Sequence, residues 1–86
     1  MSDTLPLRVM VQDAWNEVPL DLPATTPLSE LKRRALVATH VVRPPDSYVL
    51  KFRGFELPNE SLSLAEAGLV PNGALIVLSK RRRPVL

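Results

Sequence analysis

Two alternating runs separated by a short polar stretch constrain this chain most. In LPLRVMVQ, residues 5 to 12, Leu5, Leu7, Val9 and Val11 fall on one face, and Pro6, Arg8, Met10 and Gln12 on the other. VPLDL, 18 to 22, repeats the pattern with Val18, Leu20 and Leu22. A period of two marks half-buried strands, and DAWNE between them is turn-like, so the pair predicts a hairpin. Pro19 lacks an N–H, which places its strand at a sheet edge or turns it away from the ladder.

A different period follows. In ATTPLSELKRRALVATHVV, Leu28, Leu31, Ala35, Ala38 and Val42 share one helical stripe, with Leu36 on its flank. Thr26 is the expected N-cap, and Pro27 suits the first turn. Glu30 early and Lys32, Arg33 and Arg34 later suit the helix dipole. Arg43-Pro44-Pro45 is expected to end the helix, because residues before proline avoid the helical region.

Period two then returns. In YVLKFRG, Tyr48, Leu50 and Phe52 point one way and Val49, Lys51 and Arg53 the other, with a turn at Gly54. FEL, 55 to 57, predicts a short fourth strand. SLSLAEAGL, 61 to 69, reads as a turn-rich link, and VPNG as a turn before a last strand, ALIVLSK. The expected class is α+β: a mixed sheet of four to five strands with one main helix packed on one face.

The chain has 86 residues, enough for a single domain over 1–80, followed by a basic tail, 81–86. It has no cysteine, which excludes disulfides, thiol ligands and a thiol nucleophile. The N-terminus lacks the basic start and apolar core of a signal peptide, and no apolar run is long enough to span a bilayer. A cytoplasmic location without membrane insertion is expected.

The formal net charge is +2, but it is unevenly placed. Four of the 11 basic residues and none of the nine acidic ones lie in residues 79–86. The body keeps seven basic against nine acidic residues, a net of −2. Such a body is a poor nucleic-acid binder, so any such contact is left to Lys80, Arg81, Arg82 and Arg83. KRRRP also fits a nuclear import signal, and the terminal PVL a carboxylate-binding domain.

The order of elements and several motifs resemble ubiquitin and its relatives, the β-grasp fold. PPD (44 to 46) stands just after the helix, as in ubiquitin. Leu50, Phe52, Gly54 and Leu57 then keep the family's spacing, with one residue inserted near 59 to 61. LAEAGLVPNGALIVL is similar to the family's closing segment. The resemblance covers residues 5 to 80 and implies the ubiquitin-like fold. Modifiers of this family, and related sulfur carriers, end in Gly-Gly, which threads into an activating enzyme. Here Arg83 and Pro84 stand near those positions, and Gly54, Gly68 and Gly73 are the only glycines. Conjugation through the C-terminus is therefore not expected.

No catalytic group emerges. His40 is the only histidine and reads as a helix-end residue. There is no phosphate loop and no metal-spaced cluster, so neither enzyme activity nor a cofactor is expected. The face away from the helix is more informative. Alternation places Arg8, Met10, Val49, Lys51, Arg53, Ile76, Leu78 and Lys80 on it. In ubiquitin the corresponding face carries an apolar patch that partners bind, and Lys51 here takes the position of its central isoleucine. The resemblance implies a mixed apolar and basic protein-binding surface, on a monomer or a subunit of a hetero-complex. Trp15, in the first hairpin turn, is either tucked against the sheet edge or exposed as an anchor. Phe55 poses the same choice. The sequence also resembles the small bacterial ubiquitin-like proteins tied to type VII secretion, and the small β-grasp subunit of multicomponent oxygenases.

Overall fold

The structure, a computed structural model, describes residues 4–79. Lys80 and the tail expected over 81–86 lie outside the described residues. Five strands form one sheet: β1 (Thr4–Val11), β2 (Asn16–Pro23), β3 (Tyr48–Phe52), β4 (Phe55–Glu56) and β5 (Gly73–Ser79), with one α-helix, α1 (Leu28–Ala38). The order across the sheet is β2-β1-β5-β3-β4. β1 and β5 pair in parallel, and every other pair is antiparallel. The last strand is thus the central one, and β2, which carries Pro19, lies at an edge where the missing N–H costs no ladder bond.

The periodicities produce the core directly. Leu7, Val9 and Val11 of β1, Leu50 of β3, and Leu75 and Val77 of β5 project to the helix side and are buried. Leu28, Leu31, Ala35 and Leu36 of α1 meet them, and Leu64 and Leu69 of the link close the rim. Burying each such aliphatic side chain contributes about 1.5–3 kcal/mol against the entropy of ordering the chain.

Both helix ends differ from the sequence expectation. The N-cap is Pro27, with no side-chain cap, and not Thr26. The first helical N–H groups donate instead to the link: Leu28 N to Leu62 O and Ser29 N to Glu60 O. Those backbone acceptors satisfy the groups a threonine hydroxyl would otherwise serve. At the other end the helix stops at Ala38, before the prolines. His40 adopts a left-handed φ of 61°, its N–H bonds Val37 O, and Val41 N–H bonds Leu36 O. This is a Schellman closure, with histidine where glycine is usual. Val42 is therefore not on the helical stripe but 96% exposed, and Ala38 is exposed too.

The link of residues 57–69 has no strand or helix but is firmly tied. Leu64 N bonds Thr26 O and Ala65 N bonds Ala24 O. Ser63 and Glu66 bond each other reciprocally, Ser63 N–H to the Glu66 carboxylate and Glu66 N–H to the Ser63 hydroxyl. Lys32, placed by the helical period beside Leu28 and Leu31, points inward and is 3% exposed. Its ammonium donates to Tyr48 O at 2.9 Å and meets the Glu60 carboxylate at 2.7 Å.

Candidate protein-binding face

The sheet has one covered and one open face. On the open face, register places residues in rows across the strands. The central row reads Glu17 (β2), Met10 (β1), Ile76 (β5), Lys51 (β3), Glu56 (β4). A second row holds Pro19, Arg8 and Ala74, and a third pairs Leu78 with Val49. Ile76, in the middle of the middle strand, is 42% exposed, while Met10, Val49, Lys51 and Leu78 are half-buried by their neighbours. The result is an apolar centre on β1, β5 and β3, with acidic side chains on the two outer strands.

Six of the residues expected on this face are brought together there: Arg8, Met10, Val49, Lys51, Ile76 and Leu78. Arg53 is not among them. β3 ends at Phe52, and Arg53 and Gly54 form a two-residue turn with φ of 57° and 84°, which closes the hairpin to β4. Positive φ at both positions is the type I′ geometry that matches strand twist. The alternation therefore stops one residue early, and the Arg53 guanidinium lies 5.2 Å from the centre of the Phe52 ring. Lys80, Arg81, Arg82 and Arg83 lie outside the described residues. Glu17 and Glu56 were missed as the acidic rim. Glu17 was read as part of the turn-like DAWNE, whereas the strand begins at Asn16, and Glu56 needed the β3–β4 pairing.

Neither Arg8 nor Lys51 makes an ion pair with a described residue. Lys51 stands directly across from Glu56 in the ladder without closing to it. The outer helix surface contrasts with this. Glu30 accepts from Arg33 at 2.6 Å and from Arg34 at 2.8 Å. Those hydrogen bonds hold the Glu30 carboxyl down at about 2 and raise the Arg33 guanidinium. Among the described residues the outer helix surface pairs its charges, while Arg8 and Lys51 on the sheet form no ion pair. At one side of the open face a shallow depression of about 270 Å³ is lined by Pro6, Arg8, Pro19, Asp21 and Asn72, among others.

The remaining singled-out residues sit apart. Trp15 is 77% exposed and is not tucked against the sheet edge. Phe55 is 74% exposed at the β4 edge. His40 is exposed at the helix end. No group of His, Asp and Glu among the described residues is arranged to hold a metal. Among the described residues no helix is long and apolar enough to cross a membrane.

No protein-family model matches the sequence, and no curated protein does. Solved structures do match. A ubiquitin-like domain of an Arabidopsis thaliana protein superimposes with a TM-score of 0.77 at 18% identity, over 99% of this chain and 86% of that one. The ubiquitin of Caldiarchaeum subterraneum gives 0.76 at 11% identity, over 94% and 99%. The ubiquitin-like domain of tubulin-binding cofactor B gives 0.76 at 17%, over 93% of each chain. The fold is the ubiquitin-like β-grasp. The mixed sheet of four to five strands with one main helix on one face, expected from the residue pattern, is present as five strands and one α-helix. At these identities the likeness speaks for the ubiquitin-like architecture alone, and function has to be argued from the surface.

Proposed function

We propose that this chain is a non-catalytic, ubiquitin-like protein-binding module that works as an adaptor or as the small subunit of a larger assembly, through non-covalent contacts. One observation carries the reading: Ile76, at the centre of the open face, is flanked in register by Met10 and Lys51, with Leu78 and Val49 in the next row. An apolar centre inside a charged rim is the usual anatomy of a protein-binding patch. Lys51 sets its selectivity. A partner that covers this row has to offer an acceptor to the ammonium, because burying it against an apolar contact leaves it unpaired. Partners built for a purely apolar patch should therefore bind poorly.

The finer setting rests on the sequence resemblance: a cytoplasmic role linked to type VII secretion, or a subunit of a multicomponent oxygenase. The test is affinity capture from extract of the source cells, followed by titration of the captured protein into wild type, Leu78→Ala and Lys51→Ala. Weaker binding in both is expected, and unchanged binding in both would sink the proposed surface. Intact-mass measurement of the native protein should show the free chain only; a covalent adduct would overturn the non-covalent reading.

A further inference from the structure

We propose that the open face of the sheet takes a second copy of this chain, in a two-fold dimer whose axis runs between β1 and β5 and sets Lys51 of each copy against Glu17 of the other. The proposal deepens the reading of the open face as a protein-binding surface and rests on it.

The central row is its own complement. Across neighbouring strands it reads Glu17, Met10, Ile76, Lys51: an acid, two apolar side chains and a base. A two-fold axis lying in the interface and parallel to the strands reverses this order in the second copy. With the axis between β1 and β5, Met10 meets Ile76 of the second copy, and Glu17 meets its Lys51. Two-fold contacts are reciprocal, so each of these meetings occurs twice. The alternatives set wrong groups together. An axis along β5 places Glu17 over Glu56, and one across the strands stacks Lys51 on Lys51. An axis between β5 and β3 buries Lys51 against Ile76 and Glu56 against Met10.

Neither Glu17 nor Lys51 makes an ion pair with a described residue of its own chain. Three strand spacings separate them, roughly 14 Å, too far to meet within one copy. Two sheets packed face to face stand about 10 Å apart, a gap that a lysine and a glutamate reach across together. An axis parallel to the strands also keeps the two sheets aligned, a packing that twisted sheets favour. In the next row Arg8 comes opposite Ala74 of the second copy, whose small side chain leaves room for the arginine stem. Trp15 precedes Asn16 at the level of Leu78 and Val49. The same axis brings that end of the loop over Val49 of the second copy, an apolar neighbour for an indole that is 77% exposed in one chain.

The sheet edges offer a second copy little. β2 carries Pro19 and Pro23, which lack the N–H an added strand would pair with, and β4 is only Phe55–Glu56. That directs self-association to the face. The second copy and a foreign partner use the same residues, so they exclude each other.

Sedimentation equilibrium of the full chain reads the pairing. The wild type should pass from monomer to dimer between about 1 μM and 1 mM. Glu17→Lys and Lys51→Glu each set like charges together and should weaken the dimer at least about tenfold. Mixed in equal amounts, the two variants oppose acid and base at both contacts again. The mixture should return to within about threefold of the wild-type affinity, as should the chain carrying both exchanges. A wild type still monomeric at about 1 mM, single variants as tight as wild type, or a mixture that stays monomeric would overturn the proposal. The captured cellular partner separates the two readings. If the chain is monomeric but the partner binds Leu78→Ala and Lys51→Ala more weakly, the self-pairing fails and the adaptor reading stands. If partner binding is unchanged in both while the mixture regains the dimer, the self-pairing stands and the adaptor reading fails.

Discussion

Breaking the Lys32–Glu60 pair should destabilise the fold asymmetrically. The Lys32 side chain is 4% exposed and the Glu60 side chain 24%, with nitrogen and oxygen 2.7 Å apart. Two unit charges about 4 Å apart attract by about 4 kcal/mol at an effective dielectric of about 20, before desolvation is subtracted. Removing one partner of a buried pair costs about 3–5 kcal/mol, chiefly because the other charge stays buried. Glu60→Ala does this, leaving a buried ammonium with the Tyr48 carbonyl, and should cost about 3 kcal/mol. Lys32→Met keeps the aliphatic volume and lets the partly exposed Glu60 carboxylate turn to water. It should cost only about 1–2 kcal/mol, for the bond to Tyr48 O and the lost pair. The double variant should fall close to Lys32→Met, for a coupling of about 3 kcal/mol. Urea unfolding followed by far-ultraviolet circular dichroism is the assay, because Trp15 is too exposed for its emission to report folding well. With a slope of about 1 kcal/mol per molar urea, the Glu60→Ala midpoint should drop by about 3 M. Lys32→Met costing as much as Glu60→Ala, or a coupling under about 0.5 kcal/mol, would refute the view that this pair locks the link to the helix.

Three further outcomes follow from local geometry. Glu30 has its folded pKa lowered from 4.5 to about 2 by Arg33 and Arg34, so its contribution is present above pH 4.5 and is lost as pH falls through 2. Stability curves of wild type and Glu30→Gln should therefore differ at neutral pH, converge between those values, and differ less in high salt. Gly73→Ala places a methyl 3.0 Å from the Val70 carbonyl oxygen and 3.2 Å from the Phe52 ring, and should cost about 1–3 kcal/mol, seen as a Tm lower by several degrees. His40→Gly relieves the left-handed φ of 61° at the helix end and should raise stability by roughly 0.5–1 kcal/mol in the same melts.

Regular alternation made most of the sheet legible in advance. Leu7, Val9 and Val11 on one run, and Leu75 and Val77 on another, share a core because period two leaves no other arrangement. The same alternation put Met10, Lys51 and Ile76 on the opposite face before any pairing was known. The misses share a physical cause, since each depends on groups distant in sequence or on unusual backbone angles. Thr26 was expected to cap the helix, but the Leu62 and Glu60 carbonyls do so from the link. The helix ends at Ala38 because His40 takes a left-handed conformation usually signalled by glycine or asparagine, and neither is present there. Arg53 leaves the open face because the tight turn starts at it. Lys32 was read only as a cation suiting the helix dipole, although it lies on the apolar stripe beside Leu28, Leu31 and Ala35. That position was a usable signal, but its partner Glu60 was not, because 28 residues separate them. The capping pair Ser63 and Glu66 was visible as a local S-x-x-E spacing within the link.

The central claim is that the open sheet face, not the helix, meets the protein partner. Chemical-shift mapping of isotopically labelled protein with the captured partner tests it most directly. The account predicts that amides of Met10, Val49, Lys51, Ile76 and Leu78 shift most, while those of Arg33, Arg34 and Val37 stay in place. Shifts centred on the helix, with the open-face amides unmoved, would contradict it.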